Sequence, residues 1–128
     1  QADGSLTTAA VAGRSVFAAQ CISCHGGADF TDSAGGALRN IGTLKASSGN
    51  RLGGALTGID TPTLRDVWAT APYLHDGSAG TVEAAIQAHN GFTLGATDLA
   101  NVAAFVRQIG REEAAVTGAS ATASAICT

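Results

Sequence analysis

Cys21-Ile22-Ser23-Cys24-His25 constrains this chain more than any other stretch. C-x-x-C-H is the spacing that attaches a c-type haem: two thiols add across porphyrin vinyl groups, and the adjacent histidine binds the iron. On a helix, two cysteines three apart reach two vinyls on one edge of the ring, with the histidine beneath the metal. Zinc would need a second Cys/His pair at ligand spacing, and none follows. A thioredoxin-like dithiol would follow a strand in a βαβ pattern, and no strand is readable here. The motif therefore predicts a single covalent haem c held by Cys21, Cys24 and His25.

Upstream, Gly13, Phe17 and Cys21 recur every four residues and share one helical face that runs into the motif. Thr7 or Thr8 supplies a cap, Ala9, Ala10 and Ala12 favour helix, and Val16 widens the apolar stripe. This G-x-x-x-F-x-x-x-C-x-x-C-H arrangement resembles the N-terminal helix of class I cytochromes c. That resemblance implies that the glycine lets a C-terminal helix cross closely while the aromatic packs at the crossing. A partner helix is readable from Thr97 and Asp98 onward, with Leu99, Val102, Ala103, Val106 and Ile109 at three- and four-residue steps and Phe105 beside them. Arg107 and Arg111 stand near its C-terminal end, where positive charge suits the helix dipole.

The segment from Thr61 is the most specific after the haem motif. Thr61-Pro62-Thr63-Leu64-Arg65-Asp66-Val67 is followed by Thr70-Ala71-Pro72-Tyr73-Leu74-His75-Asp76-Gly77-Ser78 and then Thr81-Val82-Glu83-Ala84-Ala85-Ile86. It resembles the C-terminal, electron-transfer haem domain of the bacterial dihaem cytochrome c peroxidase and MauG family. That family's signature reads T-P-x-L-R-N-V, T-A-P-Y-x-H-D-G-S and T-L-E-E-A-V. The resemblance runs from about Gly13 to Ile109, with two departures: the family's other haem domain is absent, and the helix after the signature ends differently. In those peroxidases a methionine fourteen residues after the signature histidine binds the electron-transfer haem, and in MauG a tyrosine replaces it. This chain has no methionine, and the fourteenth residue after His75 is His89.

The resemblance thus implies His89 as the second axial ligand, on the last turn of a helix capped by Thr81 and ended by Asn90-Gly91. His75, in a Pro/Gly-bounded turn, is the rival ligand; the family places that histidine close to the haem without ligating it. Tyr73 is expected to pack its ring with a bonded hydroxyl, with ligation as the third choice after His89 and His75. Arg65 is expected either to pair with a haem propionate through two hydrogen bonds or to form a surface ion pair with Asp60 or Asp66. The Pro62 carbonyl is the expected acceptor for the His25 Nδ1 proton. Trp68 is expected in core or haem packing, with electron relay as the alternative.

At 128 residues there is room for one core, and a covalent haem supplies apolar area that so short a chain lacks. The reading is an all-α, class I cytochrome c-type domain over residues 1–113, followed by an Ala/Ser/Thr-rich tail or linker over 114–128. No acid falls between Ser33 and Ile59, while Arg39, Lys45 and Arg51 do; this is a solvated loop or a docking patch for an acidic partner. A net charge of −3 argues against nucleic acid as a partner. No apolar run approaches the ~20 residues that span a bilayer. Because c-type haem is attached after export, a periplasmic or otherwise exported location is expected, with cleavage before Gln1 or excision from a longer protein. Cys127 would bridge two chains as a disulfide-linked dimer, join another domain, or remain an inert thiol. The functional expectation is one-electron transfer at a bis-His haem of lowered potential, with a redox partner protein or a fused redox domain, rather than catalysis. The alternatives are a peroxidase-like haem site and a haem-based gas or redox sensor.

Overall fold

A computed structural model describes residues 1–117, so Cys127 and the tail beyond Thr117 lie outside it. Helix α1 (Thr8–Gln20) starts where Thr7, in extended backbone, accepts the Ala10 N–H on its side chain at 3.2 Å. It ends at Cys21, and the chain continues directly into the short α2 (Ile22–His25) that carries the rest of the haem motif. Helix α3 (Val82–Gln87) is capped by the Thr81 side chain at 3.1 Å. Six residues are too few for an autonomous helix. Packing of Val82 into the core and an ion pair from Glu83 to Arg107 hold α3 on α4 (Ala96–Arg107).

Two starts and stops differ from expectation. Helix α4 begins at Ala96 after Gly95, which offers no side-chain cap, so Thr97 and Asp98 lie inside the first turn, where the Asp98 carboxylate suits the dipole. Helix α3 stops at Gln87, and His89 lies just past its Ala88 cap, with its N–H donating to Ile86 O at 3.2 Å. All-α describes the fold only in part. Strands β1 (Leu38–Arg39) and β4 (Ile59–Asp60) pair antiparallel, with Leu38 opposite Asp60. Strands β2 (Asn50–Arg51) and β3 (Gly54–Ala55) form a hairpin, with Arg51 opposite Gly54.

The core lies where α1 crosses α4. A Cβ built on Gly13 would stand 1.9 Å from the backbone oxygen of Asn101, so only a glycine permits this approach. One turn further on, Phe17 meets Phe105 edge-on at 5.2 Å between ring centroids and Phe30 at 6.0 Å. Val102, Ala103 and Val106 complete the buried face of α4, Ile109 is buried just past its end, and Leu99 is half-buried. At the other end of the crossing, Gln108 Oε1 accepts the Thr7 N–H at 3.0 Å and its Nε2 donates to the Thr7 hydroxyl at 2.9 Å. Val116 also enters the core.

Gly13→Ala should lower the unfolding free energy by about 3 kcal/mol, because a methyl there must drive two backbones apart. Thr7→Ala should cost about 1 kcal/mol through loss of the cap. Denaturant unfolding of both variants measures the difference.

Candidate haem site

A cavity of about 490 Å³ opens between α1, α3 and the 59–75 segment. Phe17 and Cys21 line it from α1, His25 from α2, Val82 and Ile86 from α3, and His89 from the turn after α3. A smaller cavity of about 40 Å³ adjoins it, with Cys24 and Arg39 on its wall and His25, His89 and Pro62 shared with the larger one. Both cysteines of the motif therefore border the space that both histidines border.

The two histidines are held alike. His25 Nδ1 lies 3.2 Å from Phe30 O, and His89 Nδ1 lies 2.8 Å from Ala85 O. A backbone carbonyl only accepts, so each Nδ1 carries the proton and each Nε2 keeps its lone pair. The ring centroids are 6.4 Å apart. Desolvation by the cavity pushes the His25 pKa down to about 4, against a smaller raising effect of the Phe30 carbonyl, and it lowers that of His89 as well. Both rings are accordingly neutral near pH 7, the form that binds a metal. Among the described residues no group of three or more His, Cys, Asp or Glu side chains converges to hold a bare ion. An iron between these two imidazoles would need its remaining nitrogens from a macrocycle. Adjoining apolar cavities with Cys21 on the larger, Cys24 on the smaller and both neutral histidines on each fit a c-type haem.

The remaining expected residues fall in different places. The acceptor for His25 is Phe30 rather than Pro62, whose carbonyl is a lesser influence. Phe30 sits at φ +53°, a left-handed conformation that nothing in the sequence signals for a phenylalanine. Arg65 is not aimed into the cavity. It donates to the carbonyls of Gly110 (2.6 Å), Arg111 (3.2 Å), Glu113 (3.0 Å) and Ala28, and its carboxylate neighbour is Asp29 rather than Asp60 or Asp66. The expectation of a propionate partner or an Asp60/Asp66 pair gives way to this role, because the guanidinium is consumed by backbone oxygens. Trp68 is 64 % exposed and lies outside both cavities. Tyr73 lines the main cavity and donates its hydroxyl to Val67 O at 2.9 Å. His75 also borders the cavity, but it is exposed and its Nε2 lies 2.8 Å from the Ser48 hydroxyl. Its neighbour Asp76 pairs with Lys45 at 3.0 Å, and Arg39 pairs with Asp32 at 2.6 Å. Two of the three loop cations are thereby neutralised within the chain, which favours a solvated loop over a docking patch.

The fold and its cavity define a cytochrome c-type domain. The description "RoxA-like, cytochrome c-like" belongs to the family model that matches residues 58–92, the stretch from β4 through His75 to the turn after His89. A crystal structure of a MauG-like protein associated with microbial copper homeostasis superposes with a TM-score of 0.66 at 22 % identity, over 88 % of this chain and 50 % of that one. The chain thus spans about half the length of that relative. No curated protein matches it. Together these findings show a cytochrome c-like fold and a resemblance to a MauG-like protein.

Tyr73→Phe should cost about 1 kcal/mol through the lost bond to Val67. Trp68→Ala should change stability by no more than about 0.5 kcal/mol and leave the visible spectrum as it was. Thermal unfolding and absorbance of the haem-loaded variants test both.

Proposed function

We propose that this chain carries one haem c, attached through Cys21 and Cys24 and ligated by His25 and His89, and that it transfers single electrons. The observation that carries this reading is the histidine pair. Two imidazoles bound on opposite sides of one metal, at about 2.0 Å per bond, place their ring centroids about 6 Å apart. The observed separation is 6.4 Å, with both Nδ1 atoms engaged by carbonyls. His75 lacks that arrangement, since its Nε2 is engaged by Ser48.

The haem supplies a reversible one-electron centre; the protein sets its ligands, dielectric and access. His25 and His89 bring two neutral nitrogen donors of raised basicity, since each donates its Nδ1 proton to a carbonyl. Phe17, Val82 and Ile86 present apolar surface that keeps water from the metal. Two strong donors favour the ferric state relative to a thioether, so a low potential follows. We read the fold as class I and essentially all-α, since its strands are two residues long and tie loops rather than build a layer. Among the described residues no helix is long and apolar enough to cross a membrane, and attachment of haem c belongs to an exported compartment, the periplasm in a bacterium. The electron partner is a separate redox protein or a redox domain fused to this one.

His89→Ala should turn a low-spin ferric spectrum into a high-spin or exchangeable one, while His75→Ala leaves it low-spin; the reverse pattern would move the ligand to His75. His89→Met should raise the midpoint potential in a redox titration once near-infrared absorbance shows the thioether bound. The wild type should exchange electrons rapidly with small mediators and turn over hydrogen peroxide no faster than a bis-His control cytochrome, with His89→Gly as the opened-site comparison. Sustained peroxide turnover by the wild type would replace the carrier reading with a peroxidase one.

A further inference from the structure

Four residues lie between His25 and Phe30, whose carbonyl accepts its proton, and two of them are Gly26 and Gly27. So pliant a loop does not aim a carbonyl by itself, and Phe30 must in addition adopt a left-handed backbone that costs a bulky residue free energy. Something outside the loop holds it there. The Phe30 ring is fully buried against Phe17. The Arg65 guanidinium carbon lies over the Phe30 ring, 5.2 Å from its centroid and within cation–π range. The same guanidinium donates to Ala28 in the loop and to Gly110, Arg111 and Glu113 in the segment after α4. Thr63 adds a second tether, donating its hydroxyl to Asp29 O at 2.5 Å.

We propose that Arg65 is a positioning residue for His25, clamping the 28–30 loop to the chain after α4 so that the Phe30 carbonyl stays on His25 Nδ1. The proposal rests on the reading of His25 as an iron ligand. It follows from the shape of the group: a planar fork reaches acceptors on two segments at once, which a lysine ammonium cannot do in that geometry. A firm Nδ1–H bond raises the basicity of a ligating imidazole and favours ferric iron. Loosening the clamp weakens that bond and moves the midpoint upward.

The test uses the haem-loaded protein and Arg65→Lys, with Thr63→Val loosening the same loop from its other tether and Thr7→Ala as a destabilised control distant from the haem motif. Two quantities are read: the midpoint potential, and the solvent-exchange rate of the iron-shifted His25 Nδ1 proton by NMR. Arg65→Lys should raise the midpoint and speed exchange at least tenfold. Thr63→Val should do the same to a smaller degree, and it decides the matter by itself if Arg65→Lys fails to fold. Thr7→Ala should change neither. Unaltered midpoint and exchange in the folded Arg65 and Thr63 variants, or equal changes in Thr7→Ala, would overturn the positioning role. A wild type with no iron-shifted His25 proton would instead overturn the ligation on which the proposal rests.

Discussion

The contact of backbone with backbone where α1 crosses α4 governs the rest of this structure. At Gly13 no side chain separates the helices, and Asn101 O occupies the space a Cβ would need. Helices this close bring their next turns into register, so Phe17 lands on Phe105 and on Phe30. The end of α1 is then placed at the cavity, with Cys21 on its wall and His25 one short turn beyond. Gln108 closing on Thr7 keeps the far ends of the pair from splaying. A glycine inside a helix costs up to about 1 kcal/mol in propensity, which the buried aromatic cluster of this crossing offsets several times over.

The walls of the cavity away from α1 come from loops, and loops need polar fasteners. Arg65 gives its fork to carbonyls from two segments, and Asp66 N–H donates to Ile109 O at 2.9 Å beside it. Tyr73 ties the turn before His75 to Val67. Asn90 N–H donates to Ile41 O at 2.9 Å, joining the turn that bears His89 to the long glycine-rich loop. These bonds place side chains that line the site on a scaffold with little regular structure. They also serve groups that would otherwise sit half-buried without partners. With His25 and His89 already occupied at Nδ1, Nε2 is left as the donor atom of each ring, which on the proposed reading preorganises both as ligands.

Much of this was legible because it depends on spacing along one helix. C-x-x-C-H, the four-residue recurrence of Gly13, Phe17 and Cys21, and the apolar steps of α4 all speak through local periodicity. Thr7 and Thr81 were readable as caps for the same reason. His89 was reached by counting along a resemblance, and the structure puts it beside His25 although its helix stops two residues earlier than the Asn90-Gly91 signal suggested. Asn90-Gly91 does mark a turn, with Gly91 at φ +92°, but the last helical bonds end before it.

The partners of Arg65, the acceptor for His25 and the exposure of Trp68 were not legible, because they are set by chain segments distant in sequence or by loop closure; Pro62 does line both cavities. An arginine seeks acceptors of any kind, and only the folded chain shows that the carbonyls of Ala28, Gly110, Arg111 and Glu113 converge on this one. The acceptor for His25 depends on a left-handed phenylalanine, a conformation that propensity disfavours and that tertiary packing imposes. The sequence by itself determined the C-x-x-C-H motif and the helical pair, which are written in covalent identity and short-range period, and a resemblance added His89 as the candidate partner of His25. Only the tertiary structure decided which carbonyls orient those histidines, which cations are spent inside the chain, and which aromatic faces water. Those outcomes depend on loop closure, where distances are fixed by packing rather than by the spacing of residues.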